Sequence, residues 1–479
     1  MSIFVLYRTL DVHCDGLCGV FFRCENAIAM ISWYGESDLK AFRIAMRWLR
    51  TSLVCFVLMC IPCGTVAQTQ LSPPIQLEAG RPRLCMPVSK REYGPVQLTP
   101  SRVNLMGERY TWLNDTYLAW QATGKPLVGY LAGKLVPTPC GDDTGLYYIV
   151  PVLARASQRP IDFAIDLFLL GTLFASAVIG LAGLWAAVQR FWQQVFAVLA
   201  IASATYVAFK IGDVYIMQAA TVLAIIPWAL QLFRNREDSR LRDVFLFVAG
   251  IFLGVAQWVR THSGTGVILF LLVLILAASL GAKRKIILLT VLAVGFAIPL
   301  VFSLVILHQR DEYLASVEPN YRPPLSHHVF WHTVYVGLGF LNNPFVPGWH
   351  DVVGANTVAE VAPQVVYGSM EYDSILKRRV LQIFYGHPRF IAYTYSAKLG
   401  VLLVMLLLAT NLGVVASIVY PKGFALELAF WLAMAFGGLT GLIAIPIPQY
   451  VIGMIALAIL YNYVSLCHAF HCLSSTAAT

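Results

Sequence analysis

Long apolar stretches recur along this sequence, and each is close to the length that a helix needs to cross a lipid bilayer, about 20 residues. Charged residues make up only 12% of the 479 residues. An average soluble domain has about 25%, so too little polar surface exists here to cover a soluble core of this size. The sequence therefore predicts an all-α, polytopic membrane protein with about ten transmembrane helices. The ten apolar runs are 48–67, 161–187, 191–210, 213–233, 243–259, 266–282, 286–307, 397–420, 424–444 and 447–466.

Lysine and arginine residues in the short loops predict the orientation of these helices, because such loops are retained in the cytoplasm. Basic residues are concentrated at 234–242 and 283–285. Alternation then places both termini in the cytoplasm and two large hydrophilic loops, 68–160 and 308–396, on the opposite side of the membrane. The net charge of +9 comes from short loops between apolar runs, so it indicates contact with membrane lipid and not with nucleic acid.

The chain divides into seven segments by this reasoning. They are an N-terminal extension (1–45), a first helix (46–67), a first outer loop (68–160), helices two to seven (161–307), a second outer loop (308–396), helices eight to ten (397–466) and a cytoplasmic tail (467–479).

Two segments have features of their own. The first helix could instead be a signal peptide, because arginines precede it and the small residues Thr65-Val66-Ala67 suit a cleavage site; Met46 would then be a possible start. In the second outer loop, residues 372–385 have the spacing of an amphipathic helix. Their apolar residues fall on one face and the basic residues at 377–379 on the other, which suits a helix lying in the membrane interface.

Two adjacent carboxylates stand out late in the first outer loop, where residues 141–148 read GDDTGLYY. One carboxylate of such a pair can act as a general base while the charge of its neighbour raises its basicity. Asp142 and Asp143 could equally form a turn that caps the following helix. From these residues alone both interpretations remain open.

This stretch resembles the acidic motif of the GT-C superfamily of membrane glycosyltransferases. Those families carry an acidic pair, often Asp-Glu-Gly-x-Tyr, in the first non-cytoplasmic loop, and a bacterial branch has Asp-Asp-x-Gly-x-Tyr-Tyr before the second span. The matching residues are Asp142, Asp143, Gly145 and Tyr147. Thr144 is an extra residue, and the second acid is Asp where Glu is common. The layout is similar to that of the dolichyl-phosphate-mannose–protein mannosyltransferases and the aminoarabinose transferases.

The resemblance covers the layout of residues 45–466. It implies an inverting hexosyl- or pentosyltransferase of the bacterial inner (plasma) membrane. Such an enzyme moves a sugar from a polyprenyl-phosphate donor to a glycan, lipid or protein acceptor on the periplasmic side. It further implies that Asp142 is the general base and that Asp143 supports it or orients the acceptor. Some of these families use a divalent cation such as Mg or Mn, which Asp142 and Asp143 would hold.

A departing phosphate needs cations on the same side of the membrane. The turn between the fifth and sixth predicted helices offers Arg260, His262 and Ser263, and Lys398 lies near the start of the eighth. We predict that these four residues bind the donor. Arg260 and Lys398 could instead be anchors whose charged ends reach the lipid headgroups.

Aromatic and polar side chains on the outer side could bind or support the acceptor, since aromatic rings stack on the C–H faces of sugars and polar groups bind hydroxyls. The predicted residues are Tyr147, Asp213, Trp331, His332 and Asp351. An interfacial aromatic belt would explain the same aromatics, and Asp213 could be a helix N-cap.

Two other functions remain open. A secondary transporter or flippase would have apolar spans of this kind, but it has no need of two large loops on one side. An O-antigen polymerase or ligase would share the lipid-linked substrates and the loops, and it would be expected to use loop arginines in place of an acidic pair.

Overall fold

The computed structural model describes residues 108–131, 134–138, 141–187, 190–234, 240–318, 321, 330–365 and 367–476. These residues form fourteen α-helices and one two-stranded antiparallel sheet. The predicted N-terminal extension, the predicted first helix at 46–67 and the beginning of the first outer loop lie outside the described residues.

The described part of the first outer loop is a small mixed structure. It consists of α1 (Glu108–Thr123), β1 (Val128–Leu131), β2 (Lys134–Pro137), a 3-10 turn (Gly141–Asp143) and α2 (Thr144–Ser157). Ala119 of α1 and Val128 of β1 pack on Leu314, a residue of a later helix. The loop is therefore held against the helical bundle and is not an extended spacer.

The remaining helices form the bundle and the second outer loop. They are α3 (Ile161–Ala187), α4 (Phe191–Ile211), α5 (Ile216–Arg234), α6 (Arg240–Val259), α7 (Thr265–Ala277), α8 (Ala282–Val317), α9 (Phe330–Gly337), α10 (Asp351–Val361), α11 (Met370–Gly386), α12 (Pro388–Val419), α13 (Phe424–Ile443) and α14 (Pro448–Thr476). Eight helices of the described chain are long and apolar enough to span a membrane: α3, α4, α5, α6, α8, α12, α13 and α14. The chain is thus a multi-pass integral membrane protein, as its hydropathy predicts.

Helix α7 differs from the span predicted at 266–282. It has only 13 residues, a length of about 20 Å, whereas the hydrocarbon core of a bilayer is about 30 Å thick. The helix stops because Ala278 leaves the helical conformation, with φ −58° and ψ 141°. Lys285 then donates to the free carbonyl of Leu276 at 2.5 Å, as basic groups do at helix C-termini.

The segment around α7 nevertheless runs the length of the bundle. Arg260, just after α6, pairs with Asp143, while Arg284 pairs with Asp243 in the first turn of α6. Since α6 connects these two pairs, the chain from 260 to 284 returns from one end of the bundle to the other. The predicted alternation of the loops is therefore consistent with a short α7.

Helices α6 and α8 approach each other closely through glycines. A Cβ atom at Gly250 or Gly254 would collide with backbone atoms of α8, at Leu292 and Phe296 respectively, and one at Gly295 would collide with the backbone of α6. Small residues of this kind let the backbones of membrane helices pack at short distance. The glycines thus fix the position of α6, whose outer end carries Arg260.

The second outer loop has a small hydrophobic core of its own, built from α9, α10 and α11. The amphipathic helix predicted at 372–385 is confirmed as α11. Its apolar face is buried in this core through Tyr372, Ile375, Leu376, Val380 and Ile383. Protein side chains cover this face, and a position of the helix in the membrane interface stays a prediction.

Replacing Gly254 with alanine should destabilise the bundle, because the added methyl group meets the Phe296 carbonyl and the ring of Pro299. Overpacking of this kind costs about 1–3 kcal/mol. Gly400→Ala is a matched control, since a Cβ at this position in α12 meets nothing within 4 Å. Thermal unfolding of the detergent-solubilised protein should show a lower midpoint for Gly254→Ala only. Equal midpoints would contradict the close α6–α8 contact.

Candidate functional site

Charged side chains from four separate segments meet at one end of the bundle. They come from the start of α1, from the 3-10 turn before α2, from the α4–α5 connection and from the α6–α7 connection. We call this group, together with the tyrosine that contacts it, the charge cluster. Its members are Arg109, Asp142, Asp143, Asp213, Tyr215 and Arg260.

Asp143 lies at the centre of the charge cluster and is only 2% exposed. Its Oδ2 accepts from Nε of Arg109 at 2.6 Å, and its Oδ1 accepts from Nη1 of Arg260 at 2.9 Å. Both carboxylate oxygens are therefore engaged by a guanidinium group, and such charge-assisted bonds are stronger than neutral ones. Asp143 ties α1 to the α6–α7 connection.

Asp213 extends the same network to the α4–α5 connection. Its Oδ2 accepts from Nη1 of Arg109 at 3.0 Å, and its Oδ1 accepts from the backbone N–H of Val214 at 2.6 Å. Burial raises the pKa of the Asp213 carboxyl, and the charge of Arg109 opposes this shift. Asp213 is thus a partner of Arg109 and more than a local helix cap.

Arg260 is held on several sides. Its Nη2 donates to the hydroxyl of Tyr215 at 2.7 Å, and its guanidinium carbon lies 4.7 Å from the centre of the Tyr215 ring. Burial alone would lower the pKa of Arg260, but the charge of Asp143, with smaller contributions from Tyr215 and Asp142, raises it above the ordinary value. Arg260 therefore stays charged, and its contacts are with protein groups.

Asp142 differs from Asp143 in its surroundings. Its side chain is 32% exposed, and its Oδ2 lies 3.7 Å from Nη1 of Arg260. Its backbone carbonyl accepts from the N–H of Thr261 at 3.2 Å. The acidic turn is thus bound to the α6–α7 connection while the Asp142 carboxylate remains accessible.

The glycine of the acidic motif has a packing reason. A Cβ at Gly145 would lie 2.8 Å from backbone atoms of Trp258 and Val259, so only glycine lets the start of α2 approach the end of α6 this closely. Asp143 occupies the N-cap position of α2, but its side chain makes no capping hydrogen bond. Helix capping therefore does not account for Asp143.

The predicted donor residues of the α6–α7 connection have unequal accessibility. His262 is exposed, and its backbone has a φ of 67°, in the left-handed region that costs energy for any residue but glycine. Ser263 is fully buried, so its hydroxyl does not face solvent. The structure leaves His262 beside Arg260 at an accessible position and places Ser263 in the interior.

Lys398 lies apart from these residues and is completely buried. Its Nζ donates to the carbonyl oxygens of Leu442, Ile443 and Ala444 at 3.1, 3.2 and 2.6 Å. These are carbonyls at the C-terminal end of α13, where a cation offsets the helix dipole. The contacts of Lys398 are those of a helix cap and do not include the charge cluster.

Two of the predicted acceptor residues are also placed outside the charge cluster. Tyr147 is fully buried in the core of the bundle. Trp331 packs in the core of the second outer loop, where its backbone N–H donates to Asp373 at 3.0 Å and the ammonium group of Lys377 lies 5.7 Å from its ring.

His332 and Asp351, by contrast, bind each other, and the charges of two arginines of the charge cluster act on Asp351. Nε2 of His332 lies 3.2 Å from Oδ1 of Asp351. This hydrogen bond lowers the pKa of Asp351; surrounding protein opposes the shift, and the positive charges of Arg109 and Arg260 lower it further. The accessible carboxylate of Asp351 is therefore subject to the charge of both arginines.

A divalent cation does not fit the geometry of the acidic pair. Both oxygens of Asp143 already accept hydrogen bonds from arginines. Within the part of the chain that the structure describes, His, Cys, Asp and Glu form no group of three or more that could hold a metal ion. We therefore assign no metal ligands to Asp142 and Asp143.

Arg109 and Tyr215 are site residues that the sequence did not reveal. Arg109 belongs to no motif and lies 34 residues before its partner Asp143. Tyr215 follows Asp213 by two residues, so an aromatic beside an outer acid was the one available signal.

In comparisons with protein-family models, curated proteins and solved structures, nothing matches this chain.

The charge cluster predicts unequal costs for removing its two buried acids. Asp143→Asn leaves Arg109 and Arg260 without their shared counter-charge, and breaking a buried ion pair costs about 3–5 kcal/mol. Asp213→Asn should cost less, because it loses one arginine contact and burial already disfavours its charge. The free energy of unfolding in detergent should be lowest for Asp143→Asn, intermediate for Asp213→Asn and highest for the wild-type protein. A wild-type value for Asp143→Asn would rule out its central position.

Proposed function

We propose that this protein is an integral-membrane, inverting glycosyltransferase of the GT-C type in the bacterial inner membrane. It would transfer a sugar from a polyprenyl-phosphate carrier to a glycan, lipid or protein acceptor on the periplasmic side. The observation that carries the proposal is the unequal environment of two adjacent carboxylates. Asp143 is buried between two arginines, whereas Asp142 is accessible beside one of them. Acid–base sites are built by giving neighbouring titratable groups different surroundings.

Asp142 acts as the general base in this proposal. The acceptor oxygen attacks the anomeric carbon of the donor sugar, and its proton passes to the Asp142 carboxylate. As the new carbon–oxygen bond forms, the bond from the anomeric carbon to the phosphate oxygen breaks on the opposite face, and the electron pair leaves with the polyprenyl phosphate. The configuration at the anomeric carbon is inverted. General-base catalysis of this kind contributes a factor of about 10²–10⁴ to the rate.

Asp143 is a positioning residue in the same scheme. By binding Arg109 and Arg260 it fixes the guanidinium that lies beside Asp142. A guanidinium group has five N–H donors, so Arg260 can contact a phosphate oxygen while it keeps Asp143 and Tyr215. A cation fixed before the reaction stabilises developing charge without the cost of reorganisation.

The position of the charge cluster suits a lipid-linked donor. Asp213 follows α4, which ends at Ile211, and Arg260 follows α6, which ends at Val259. Both helices are long and apolar enough to span the membrane. A phosphate attached to a chain that remains in the bilayer can reach residues at this depth, whereas a soluble nucleotide sugar would gain nothing from it.

A transporter is supported less well. The buried charged residues of the described chain lie at or near helix ends, except Lys398 within α12, which binds the carbonyls at the end of α13; they do not line a path through the middle of the bundle. They are Asp143, Asp213, Arg242, Arg310, Lys398 and Lys422. Lys422, for example, pairs with Glu427 at 2.6 Å at the end of the bundle opposite to the charge cluster.

The proposal is tested by incubating the purified protein with a panel of radiolabelled polyprenyl-phosphate sugars and candidate acceptors. Transfer of label together with release of polyprenyl phosphate supports it. Polyprenyl-diphosphate-linked glycans belong in the same panel, because exclusive use of these donors would indicate an O-antigen polymerase or ligase. Movement of an intact donor across the bilayer, with no transfer, would indicate a flippase.

Asp142→Asn should abolish most turnover while leaving the fold intact. Asparagine keeps the shape of the side chain but cannot take the proton, so kcat should fall by about 10²–10⁴. Donor binding and the unfolding midpoint should stay near wild type, since the side chain is partly exposed. Glu371→Gln, at an exposed acid of α11, is the control and should transfer sugar normally. Near-normal transfer by Asp142→Asn would show that Asp142 is not the general base.

A further inference from the structure

A buried histidine holds an accessible carboxylate in the second outer loop. The His332 side chain is 5% exposed, whereas the side chain of its partner Asp351 is 81% exposed. The two atoms in contact are Nε2 of His332 and Oδ1 of Asp351, at 3.2 Å. One carboxylate oxygen of Asp351 is therefore fixed by the protein, and most of the group remains accessible to a ligand.

Tyr372 fixes the histidine from its other side. The Tyr372 hydroxyl lies 2.8 Å from Nδ1 of His332, and burial raises the pKa of Tyr372, so the hydroxyl keeps its proton. The hydroxyl then donates to Nδ1, and Nε2–H donates to Asp351. Gly354 allows this arrangement, because a Cβ there would lie 2.7 Å from Nδ1 of His332. The ring is thus locked in one orientation.

The Asp351 carboxylate is influenced by the arginines of the charge cluster. Its side chain is accessible, and the charges of Arg109 and Arg260 act on it. Asp142 and Asp351 are then two accessible acids in the field of one arginine, Arg260.

An exposed aromatic side chain lies close to Asp351 in the sequence. Trp349, two residues before Asp351, is 41% exposed, and its ring lies 4.3 Å from that of His350. An accessible indole in the same short segment as a fixed carboxylate is a typical combination in sugar-binding sites. The indole stacks on the C–H face of a pyranose or furanose, and the carboxylate accepts from two neighbouring hydroxyls.

We propose that Trp349 and Asp351 bind the acceptor and that the acceptor is a glycan, with His332 as the residue that positions Asp351. This inference rests on the proposed function and narrows it, because a peptide acceptor would not offer paired hydroxyls to the carboxylate and a glycerol headgroup would not offer a ring face to Trp349. The bound glycan would present a further hydroxyl to Asp142, the other accessible acid on which Arg260 acts. Tyr372 contributes by fixing His332.

Binding of oligosaccharides tests the site without any need for turnover. The protein is placed in nanodiscs of phosphatidylethanolamine and phosphatidylglycerol, because glycosidic detergents would compete. Trisaccharides of mannose, galactose, glucose and arabinose are then titrated by saturation-transfer NMR. Asp351→Asn should weaken the best ligand about 10- to 100-fold, as expected for loss of charged hydrogen bonds. Glu360→Gln removes an exposed acid from the same helix and should bind like wild type.

Further variants separate positioning from folding. Trp349→Ala should weaken binding, and Trp349→Phe should restore part of it. His332→Ala should weaken binding more than His332→Gln, whose amide can still donate to Asp351. Tyr372→Phe should cause a smaller loss in the same direction. In the sugar-transfer assay these variants should raise the acceptor KM and leave the donor KM unchanged.

Two results would overturn the inference: no binding of any trisaccharide by the wild-type protein, or wild-type binding by Asp351→Asn. A third result separates the inference from the proposed function. Glycan binding that depends on Asp351, in a protein that transfers no sugar from any donor, would refute the proposed transferase activity but would support the glycan site.

Discussion

A carboxylate buried between two guanidinium groups organises one end of this bundle. Asp143 accepts a hydrogen bond from Arg109 on one oxygen and from Arg260 on the other. Arg109 also donates a hydrogen bond to Asp213. A buried acid without such partners would be strongly disfavoured, so the four segments that carry these residues are stable only together. Residues that are distant in sequence are thereby held in one place.

The consequence for chemistry is that Asp142 remains accessible although its neighbour does not. The turn is bound through the backbone of Asp142 to Thr261, and Gly145 allows the close approach of α2 to α6. The two acids look equivalent in the sequence. In the structure, Asp143 is a buried partner of two arginines and Asp142 is accessible. The proposed transferase depends on this difference, and Asp351 of the second outer loop is a further accessible acid on which the same arginines act.

Hydropathy predicted the spanning helices well, because apolar length alone decides whether a helix can cross a bilayer. The same reasoning predicted a longer α7 than the structure has, since composition does not reveal that the chain leaves the helix at Ala278. The acidic pair and Arg260 were visible as a motif and a basic turn. Arg109 was not, because an ion pair between remote segments leaves no periodic pattern. Lys398 was predicted to bind the donor or to anchor in the headgroups, but its partners are backbone carbonyls.

The coupling between Arg260 and Asp143 is the most direct test of this account. It is measured by a double-mutant cycle of Arg260→Ala, Asp143→Ala and the double variant, using free energies of unfolding obtained by steric trapping in bicelles. Side chains in direct contact have interaction energies of about 0.5–3 kcal/mol, and the buried geometry predicts a value in the upper half of that range. Additivity of the two substitutions within about 0.5 kcal/mol would contradict the network on which the site depends.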